Sequence, residues 1–255
     1  MLTPVEFMLR YRNLKVNVEI DDAVAKVCRQ QTYTVQLRNY FMMNWTDGSA
    51  QKTEFEAVTS GGSKNDSWLR ANKQHIQTAA MGKGAPEDYQ LALEWAVRSK
   101  KVKNPSQLAV QTFCDQNLGI DCSGFATNYL VAVGKKSYSA TTMQDTGATS
   151  YFNEVKAVND PSQVRSGDLL IYMDGNSVKK NPGHVMVVDS YFAQSMAGGN
   201  MRVVEATAAP GANPKLLDSM YTVEQVIPKG GAVPVMILVT KRFGHSGFRV
   251  SVMRP

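Results

Sequence analysis

The chain has 255 residues, of which 43% are hydrophobic and 20% charged, values typical of soluble globular proteins. Lys and Arg outnumber Asp and Glu by 28 to 22, a net charge of +6, but the positive residues are scattered rather than gathered on one face with aromatic residues. We therefore exclude a nucleic-acid-binding protein. No apolar stretch approaches the ~18 residues of a membrane span, so we expect none.

The first 85 residues predict a partly β accessory region, to which we assign no function. Thr3 and Glu6 form a capping-box pattern that opens a short helix. Residues 15–58 are mostly of extended type, with apolar and polar residues alternating in two places. Asp47-Gly48 predicts a hairpin turn, and a Gly-rich loop follows at 61–65.

Helices are predicted next, beginning near Asp66, Pro86 and Pro105. Five β-type runs then follow, separated by Gly, Pro and Asn. These runs are Asp168–Met173, Val185–Asp189, Met201–Thr207, Val235–Lys241 and Phe248–Met253. Because helices come first and antiparallel strands later, we predict an α+β domain spanning residues 86–255.

Cys122 lies where a tight turn opens directly into a further predicted helix. Gly119 suits the turn, and Asp121 and Ser123 are residues of the N-cap type. A thiol at a helix start lies by the positive end of the helix dipole, which favours the nucleophilic thiolate. A structural cysteine is more often found within a helix or strand, but at this point both interpretations stay open.

The other cysteines and the chain terminus give weaker signals. Cys28 and Cys114 could form a disulfide, although nothing in the sequence requires one, and no Cys/His cluster predicts a zinc site. The N-terminus has no basic region followed by an apolar run, so we expect no signal peptide. Action outside the cytoplasm would then need another route out.

A thiolate nucleophile needs a base, and the base needs a residue that orients it. His75 lies on a polar helix and His245 in a predicted turn, where we expect solvated or structural side chains. His184 opens an apolar strand, a rigid support with access to solvent, although a core or edge histidine fits there too.

Two carboxylates could orient His184. Glu205 lies within an apolar run, where an unpaired carboxylate is costly, so we predict that it pairs with His184. A solvent-facing Glu on an edge strand is the alternative. Asp189 is five residues beyond His184 on the same strand and should therefore face the other side of the sheet.

Three strings resemble, in their order, the NlpC-like cysteine peptidases, papain-related enzymes that cleave peptides of bacterial cell walls. They are Asp121-Cys122-Ser123-Gly124-Phe125, Arg165-Ser166-Gly167-Asp168-Leu169-Leu170 and Gly183-His184-Val185. The resemblance covers about residues 115–210. It implies a papain-like α+β core, in which the cysteine opens a helix packed on an antiparallel sheet.

The same resemblance implies roles for individual residues. Cys122 would be the nucleophile and His184 the base, and Glu205 takes the place of a third polar residue that in the family is often His. Asp121 and Ser123 would cap and stiffen the turn, and backbone N–H groups at the helix start would hold the oxyanion. The implied reaction is hydrolysis of a peptide bond in the stem peptides of peptidoglycan, with no metal or organic cofactor.

Two biological settings fit a cell-wall amidase without a signal peptide. One is a phage-type lysin, and the other is an antibacterial effector carried by a contractile apparatus such as type VI secretion. We favour the effector, acting in the periplasm or cell wall, because recognisable wall-binding repeats are absent. Its N-terminal region could contact the secretion apparatus or an immunity protein. An acyltransferase, deamidase or lipid hydrolase on the same scaffold is the alternative enzyme class.

Overall fold

The computed structural model describes most of the chain. The described residues are 2–22, 27–41, 66–138, 147–180, 183–195, 198–210 and 212–255. The predicted hairpin at Asp47-Gly48 and the loop at 61–65 lie outside them. The described residues cluster into two compact units, Leu9–Asp121 and Cys122–Pro255, the latter together with Met1–Met8. The predicted boundary at residue 85 stays a prediction.

The described residues of the unit Leu9–Asp121 form a two-stranded antiparallel sheet and three helices. Its elements are β1 (Leu14–Asp22), β2 (Val27–Val35), α2 (Ser67–Ala80), α3 (Pro86–Arg98) and α4 (Gln107–Asn117), and the helix α1 (Pro4–Tyr11) runs across the boundary between the units. The helix starts agree with the sequence, since Asp66 accepts the Leu69 N–H at 2.9 Å to cap α2.

Glutamine side chains of α4 cover one edge of the two-stranded sheet. The amide of Gln107 accepts the Thr34 N–H at 3.1 Å and donates to the Thr34 carbonyl. Gln111, one helical turn further on, makes the same pair of bonds with Gln36 at 2.9 and 2.8 Å. The paired amides occupy backbone groups that an exposed edge strand would otherwise leave open to another chain.

Buried tyrosines hold the turn that precedes Cys122. Tyr89 donates its hydroxyl to the Gly119 carbonyl at 2.8 Å, and the fully buried Tyr11 packs edge-on against the Tyr89 ring. A Cβ on Gly119 would lie 2.7 Å from the Tyr40 backbone. The turn therefore requires glycine because the chain approaches it too closely for any side chain.

The unit that contains Cys122 is a closed antiparallel barrel. Its strands are β3 (Leu169–Asp174), β5 (Val185–Ser195), β6 (Gly198–Ala206), β7 (Leu216–Ile227), β8 (Ile237–Arg242) and β9 (His245–Met253), and the two-residue β4 (Ser177–Val178) pairs with β3 at the side. The strands pair in this order, and β9 then pairs with β3 from Leu169↔Met253 to Met173↔Arg249, which closes the sheet on itself.

The predicted papain-like α+β core is therefore wrong. The described chain is mostly β with a few helices, and its main sheet is a six-stranded barrel rather than an open sheet packed on helices. Two reasons explain the error. The strand β7 was not predicted, and the pairing of β3 with β9 joins segments about 80 residues apart, which no local pattern can show.

One apolar cluster with members from all six strands fills the barrel interior. Its strand residues are Leu170, Met186, Val188, Met201, Val203, Tyr221, Val223, Leu238, Val250 and Val252. Alternate residues of a strand share a face. The same alternation turns Tyr172, Glu205 and Arg242 inward, because each lies an even number of residues from a cluster member on its own strand.

An ion pair clamps the two strands that close the barrel. Arg254, which follows β9, donates to both carboxylate oxygens of Asp168 at 3.1 and 3.0 Å. Asp168 is buried just before β3, and it also accepts the Arg165 N–H at 3.1 Å. The Gly-Asp element therefore has a structural function in this chain, which is to fix the start of β3.

The last hairpin turn, which the sequence predicts at Gly244-His245-Ser246-Gly247, lies about two residues earlier in the structure. It consists of Phe243 and Gly244, both with positive φ (49° and 79°), and Arg242 pairs with His245 across it. Two successive residues with positive φ form the turn that suits a two-residue hairpin. Arg242 consequently lies on a strand end, inside the barrel.

Candidate active site

The helix α5 (Cys122–Ala132) begins at the predicted nucleophile. Every residue from Cys122 to Leu130 is buried, and the helix packs against β5 and β6. Phe7 of α1 contacts the rings of Phe125 and Tyr129, with centroids 5.7 and 5.9 Å apart. A helix buried on all sides has little freedom to move, so it holds the Cys122 side chain in a fixed position.

The structure brings Cys122 and His184 together. Their side chains are hydrogen-bonded, and His184, just before β5, is largely buried. Burial by itself would lower the pKa of His184, but the charge and hydrogen bond of Cys122, together with Glu205, outweigh it and raise the pKa to about 9. The raised pKa favours a protonated imidazole of His184 beside Cys122 at neutral pH.

The structure also brings Glu205 to His184. Nε2 of His184 lies 3.2 Å from Oε2 of Glu205, whose side chain is completely buried inside the barrel. Burial would raise the pKa of this carboxyl, but the hydrogen bond from His184 and the charges of His184 and Arg242 hold the pKa below its usual value. The edge-strand alternative for Glu205 is excluded, because the side chain points into the interior.

Asp189, the rival to Glu205, lies elsewhere. Its carboxylate accepts the Val5 N–H at 3.2 Å and lies 4.0 Å from Arg202. Glu205 is thus the carboxylate that meets His184, as the alternation along β5 predicted.

Arg242 is a member of this cluster that sequence reasoning missed. Its NH1 donates to Oε2 of Glu205 at 2.6 Å and to the Tyr221 hydroxyl at 2.7 Å, and its side chain is only 3% exposed. A signal for it was present. Leu238, Thr240 and Arg242 alternate on the buried face of β8, so the arginine continues an inward-facing series.

Two tyrosines complete the cluster. The Tyr221 hydroxyl lies 3.3 Å from Oε1 of Glu205. The ring of Tyr172 meets the imidazole of His184 edge-on at 5.0 Å, and its hydroxyl accepts NH1 of Arg242 at 3.3 Å. These contacts leave the ring of His184 little room to rotate away from Cys122 and Glu205.

The two residues expected to support the turn have different surroundings. Ser123 is buried in the first turn of α5. Asp121 forms an ion pair with Lys83, with Nζ and Oδ2 2.6 Å apart, and its N–H donates to the Gly82 carbonyl at 3.0 Å. This ion pair was not predicted, and it anchors the residue next to Cys122. The oxyanion-binding role of this turn stays a prediction.

The remaining histidines and Cys114 lie in other environments. His245 is exposed at the start of β9, whereas His75 is not simply solvated but forms a pair with Asp88. Cys114 is a free, buried thiol, so it is not bonded to Cys28. Burial raises the pKa of Cys114 far above its usual value, which makes it a poor nucleophile at neutral pH.

Within the described ranges, no group of three or more His, Cys, Asp or Glu side chains could hold a metal ion. Nor does this part of the chain contain a helix that is long and apolar enough to cross a membrane. No protein-family model, no curated protein and no solved structure matches the chain. The resemblance to the NlpC-like peptidases therefore stays a prediction.

Proposed function

We propose that this protein is a cysteine hydrolase that cleaves an amide bond, with Cys122 as nucleophile, His184 as base and Glu205 as the residue that orients the base. One observation carries the proposal: a thiol at a helix start contacts an imidazole whose other side contacts a buried carboxylate. This is the arrangement of nucleophile, base and orienter that acyl transfer requires. It recurs on unrelated folds, so the closed barrel does not argue against it.

The chemistry follows in two halves. The Cys122 thiolate attacks the amide carbon, and the imidazolium of His184 gives its proton to the leaving amine as the C–N bond breaks, which leaves a thioester. His184, now neutral, takes a proton from water, and the resulting hydroxide attacks the thioester. The C–S bond breaks, the acid is released and the thiolate returns.

Glu205 decides which imidazole nitrogen does this work. Nε2 of His184 is engaged by Glu205 at 3.2 Å, so Nδ1 is the nitrogen left for the thiol and for the leaving amine. The carboxylate also stabilises the imidazolium, which agrees with the raised pKa of His184. The oxyanion would be held by N–H groups of the first turn of α5, which have no carbonyl partner within the helix.

The substrate class comes from the resemblance to the NlpC-like peptidases alone. We propose a peptide bond of the peptidoglycan stem as the target. Protein and lipid amides or esters are the alternatives, because the same thiol and imidazole would attack them too.

Digestion of purified peptidoglycan, followed by mass spectrometry of the released fragments, tests this function. We expect the intact protein to release new fragments that Cys122→Ala does not release. Cys114→Ala is the matched control, because it removes a buried thiol that has no histidine partner. Fragments that appear equally with Cys122→Ala would refute the nucleophile, and unchanged peptidoglycan would refute the substrate.

Expression in a bacterial host tests the proposed place of action. With an added export signal the protein should lyse cells from the periplasm, and without the signal it should be harmless. Toxicity that is equal in both compartments would point to a substrate other than the cell wall. The Cys122→Ala variant is harmless in both cases if hydrolysis is the cause.

A further inference from the structure

Inside the barrel, one carboxylate oxygen is shared by two cations. Oε2 of Glu205 lies 3.2 Å from Nε2 of His184 and 2.6 Å from NH1 of Arg242. The contact with Arg242 is the shorter of the two, and the guanidinium is itself fixed by further bonds to the hydroxyls of Tyr221 and Thr207. Its partners lie on β7 and just beyond β6, so Arg242 bridges separate parts of the barrel wall.

The guanidinium is also shielded from solvent. It lies 4.6 Å from the centroid of the Phe243 ring, and 5.6 Å from that of Tyr221. An ion pair protected in this way is little screened by water and salt. A buried carboxylate with a single imidazole partner would take up a proton easily, whereas a permanent cation beside it keeps it charged.

We propose that Arg242 is a positioning residue that keeps Glu205 ionised and aligned on His184, an inference that rests on the proposed cysteine-hydrolase function. Arg242 contacts Glu205 and acts through it. The four groups Cys122, His184, Glu205 and Arg242 can then carry two negative and two positive charges, which balance in the buried site. Without Arg242 the same site would hold one excess negative charge, and protonation of Glu205 would remove it.

The titratable groups that face Glu205 and Arg242 come from several elements. They are Cys122 on α5, His184 before β5, Tyr221 on β7 and Tyr172 on β3. Neither tyrosine is a charged competitor at neutral pH, because burial raises the pKa of both hydroxyls. Arg242 is therefore the permanent cation that acts on Glu205 in this cluster.

Titration of Glu205 tests the inference directly. The protein is labelled with ¹³C at its Glu carboxyl carbons, and the Glu205 resonance is identified by its absence in Glu205→Gln. In Arg242→Met we expect the titration midpoint of Glu205 to rise by about one pH unit or more, and in Arg242→Lys by less. Arg202→Met is the matched control, since Arg202 forms an ion pair with Asp218 on the same barrel, away from the cluster.

The catalytic consequence is measured on the same variants. The rate of Cys122 alkylation should fall off at a higher pH in Arg242→Met than in the intact protein, because the imidazolium loses its carboxylate earlier as the pH falls. Turnover at neutral pH should fall ~10-fold or more through kcat, with KM unchanged, since Arg242 is buried and acts through Glu205.

An unchanged Glu205 titration in folded Arg242→Met would overturn the inference. If that variant does not fold, the double variant Glu205→Gln with Arg242→Met tests the pairing instead. Removing both charges should restore folding, and a double variant that still fails to fold would refute the pairing of Glu205 with Arg242. A failure of the proposed function gives a different result. The Glu205 midpoint then moves as expected, while Cys122 shows no selective alkylation and no substrate is cleaved.

Discussion

The described part of the chain contains two histidine–carboxylate pairs with similar contact distances. His75 Nδ1 lies 2.6 Å from Asp88, and His184 Nε2 lies 3.2 Å from Glu205. The shorter contact belongs to the pair that we do not regard as catalytic. His75 is 44% exposed and His184 only 11%, so the environments of the two pairs separate them where their distances do not.

The carboxylates of the two pairs have different tasks. Asp88 accepts the Ala85 N–H at 2.7 Å and so stabilises the start of α3, with His75 as a further partner at the surface. Burial raises the pKa of Asp88, which His75 and the Ala85 N–H only partly offset. Glu205 instead pairs with a second cation, Arg242, and its partner His184 is also hydrogen-bonded to the thiol of Cys122. The comparison teaches that a third and a fourth partner, rather than a short contact, distinguish the pair that we propose to be reactive.

Replacing each histidine should give the largest difference in turnover between the two pairs. His184→Ala should lower turnover by ~10⁴-fold or more, because the nucleophile loses its base. His75→Ala should leave turnover within a factor of two. Single-turnover kinetics on the cleaved peptide measure both, and equal losses in the two variants would show that His184 has no special role.

Neutralising each carboxylate should have the next largest effect. Glu205→Gln should lower turnover by ~10³–10⁴-fold, because an amide neither orients the imidazole in the same way nor stabilises its charge. Asp88→Asn should leave turnover unchanged. Wild-type kinetics in Glu205→Gln would remove Glu205 from the mechanism and reopen the search for the orienter.

Alkylation rates compare the reactivity of the two described thiols, Cys122 and Cys114. Iodoacetamide at about pH 6 should modify Cys122 ~100-fold faster than Cys114, since one thiol contacts an imidazolium and the pKa of the other is raised by burial. His184→Ala should remove most of that selectivity, and His75→Ala none of it. Peptide mapping reports the two sites, and selectivity that is indifferent to His184 would contradict a Cys–His pair.

The pH dependence tests the charge on His184. The pKa of this histidine is raised to about 9, so the imidazolium is present below that pH and is lost as the pH rises through it. Turnover should therefore decline above pH ~9. In Glu205→Gln the decline should begin about one pH unit lower, because the carboxylate no longer supports the cation. Imidazole titration by NMR gives the midpoint directly, and a midpoint near 6.5 in the intact protein would rule the imidazolium out.

The smallest effect is on stability. Asp88→Asn should lower the free energy of unfolding by about 1 kcal/mol, because it weakens the bond to the Ala85 N–H at the start of α3. Urea denaturation measures this loss, with Glu87→Gln, also in the first turn of α3, as control. A clear loss of activity in folded Asp88→Asn would show that the His75–Asp88 pair has a function in catalysis.

Local sequence signals predicted elements better than they predicted the way those elements combine. The N-cap at Asp66 and the alternation of Val16 and Val18 had direct counterparts in the structure. The strand β7 was missed because the polar Ser219 precedes Tyr221 and Val223 on one buried face, so the apolar alternation is short, and a bulge near Gln225 then interrupts it. Without β7 a closed barrel cannot be predicted, because closure requires all six strands.

The sequence by itself determined which side chains could do the chemistry. It placed a thiol at a helix start, a histidine at a strand start and a carboxylate within an apolar run, and each of these is a local property that spacing and polarity reveal. Only the tertiary structure decided that the sheet closes through β3 and β9, and that Arg242 meets Glu205 from a strand 37 residues further along the chain. The physical reason is that long-range strand pairing and buried charge compensation depend on the summed twist and packing of all the strands, which no short stretch of sequence encodes.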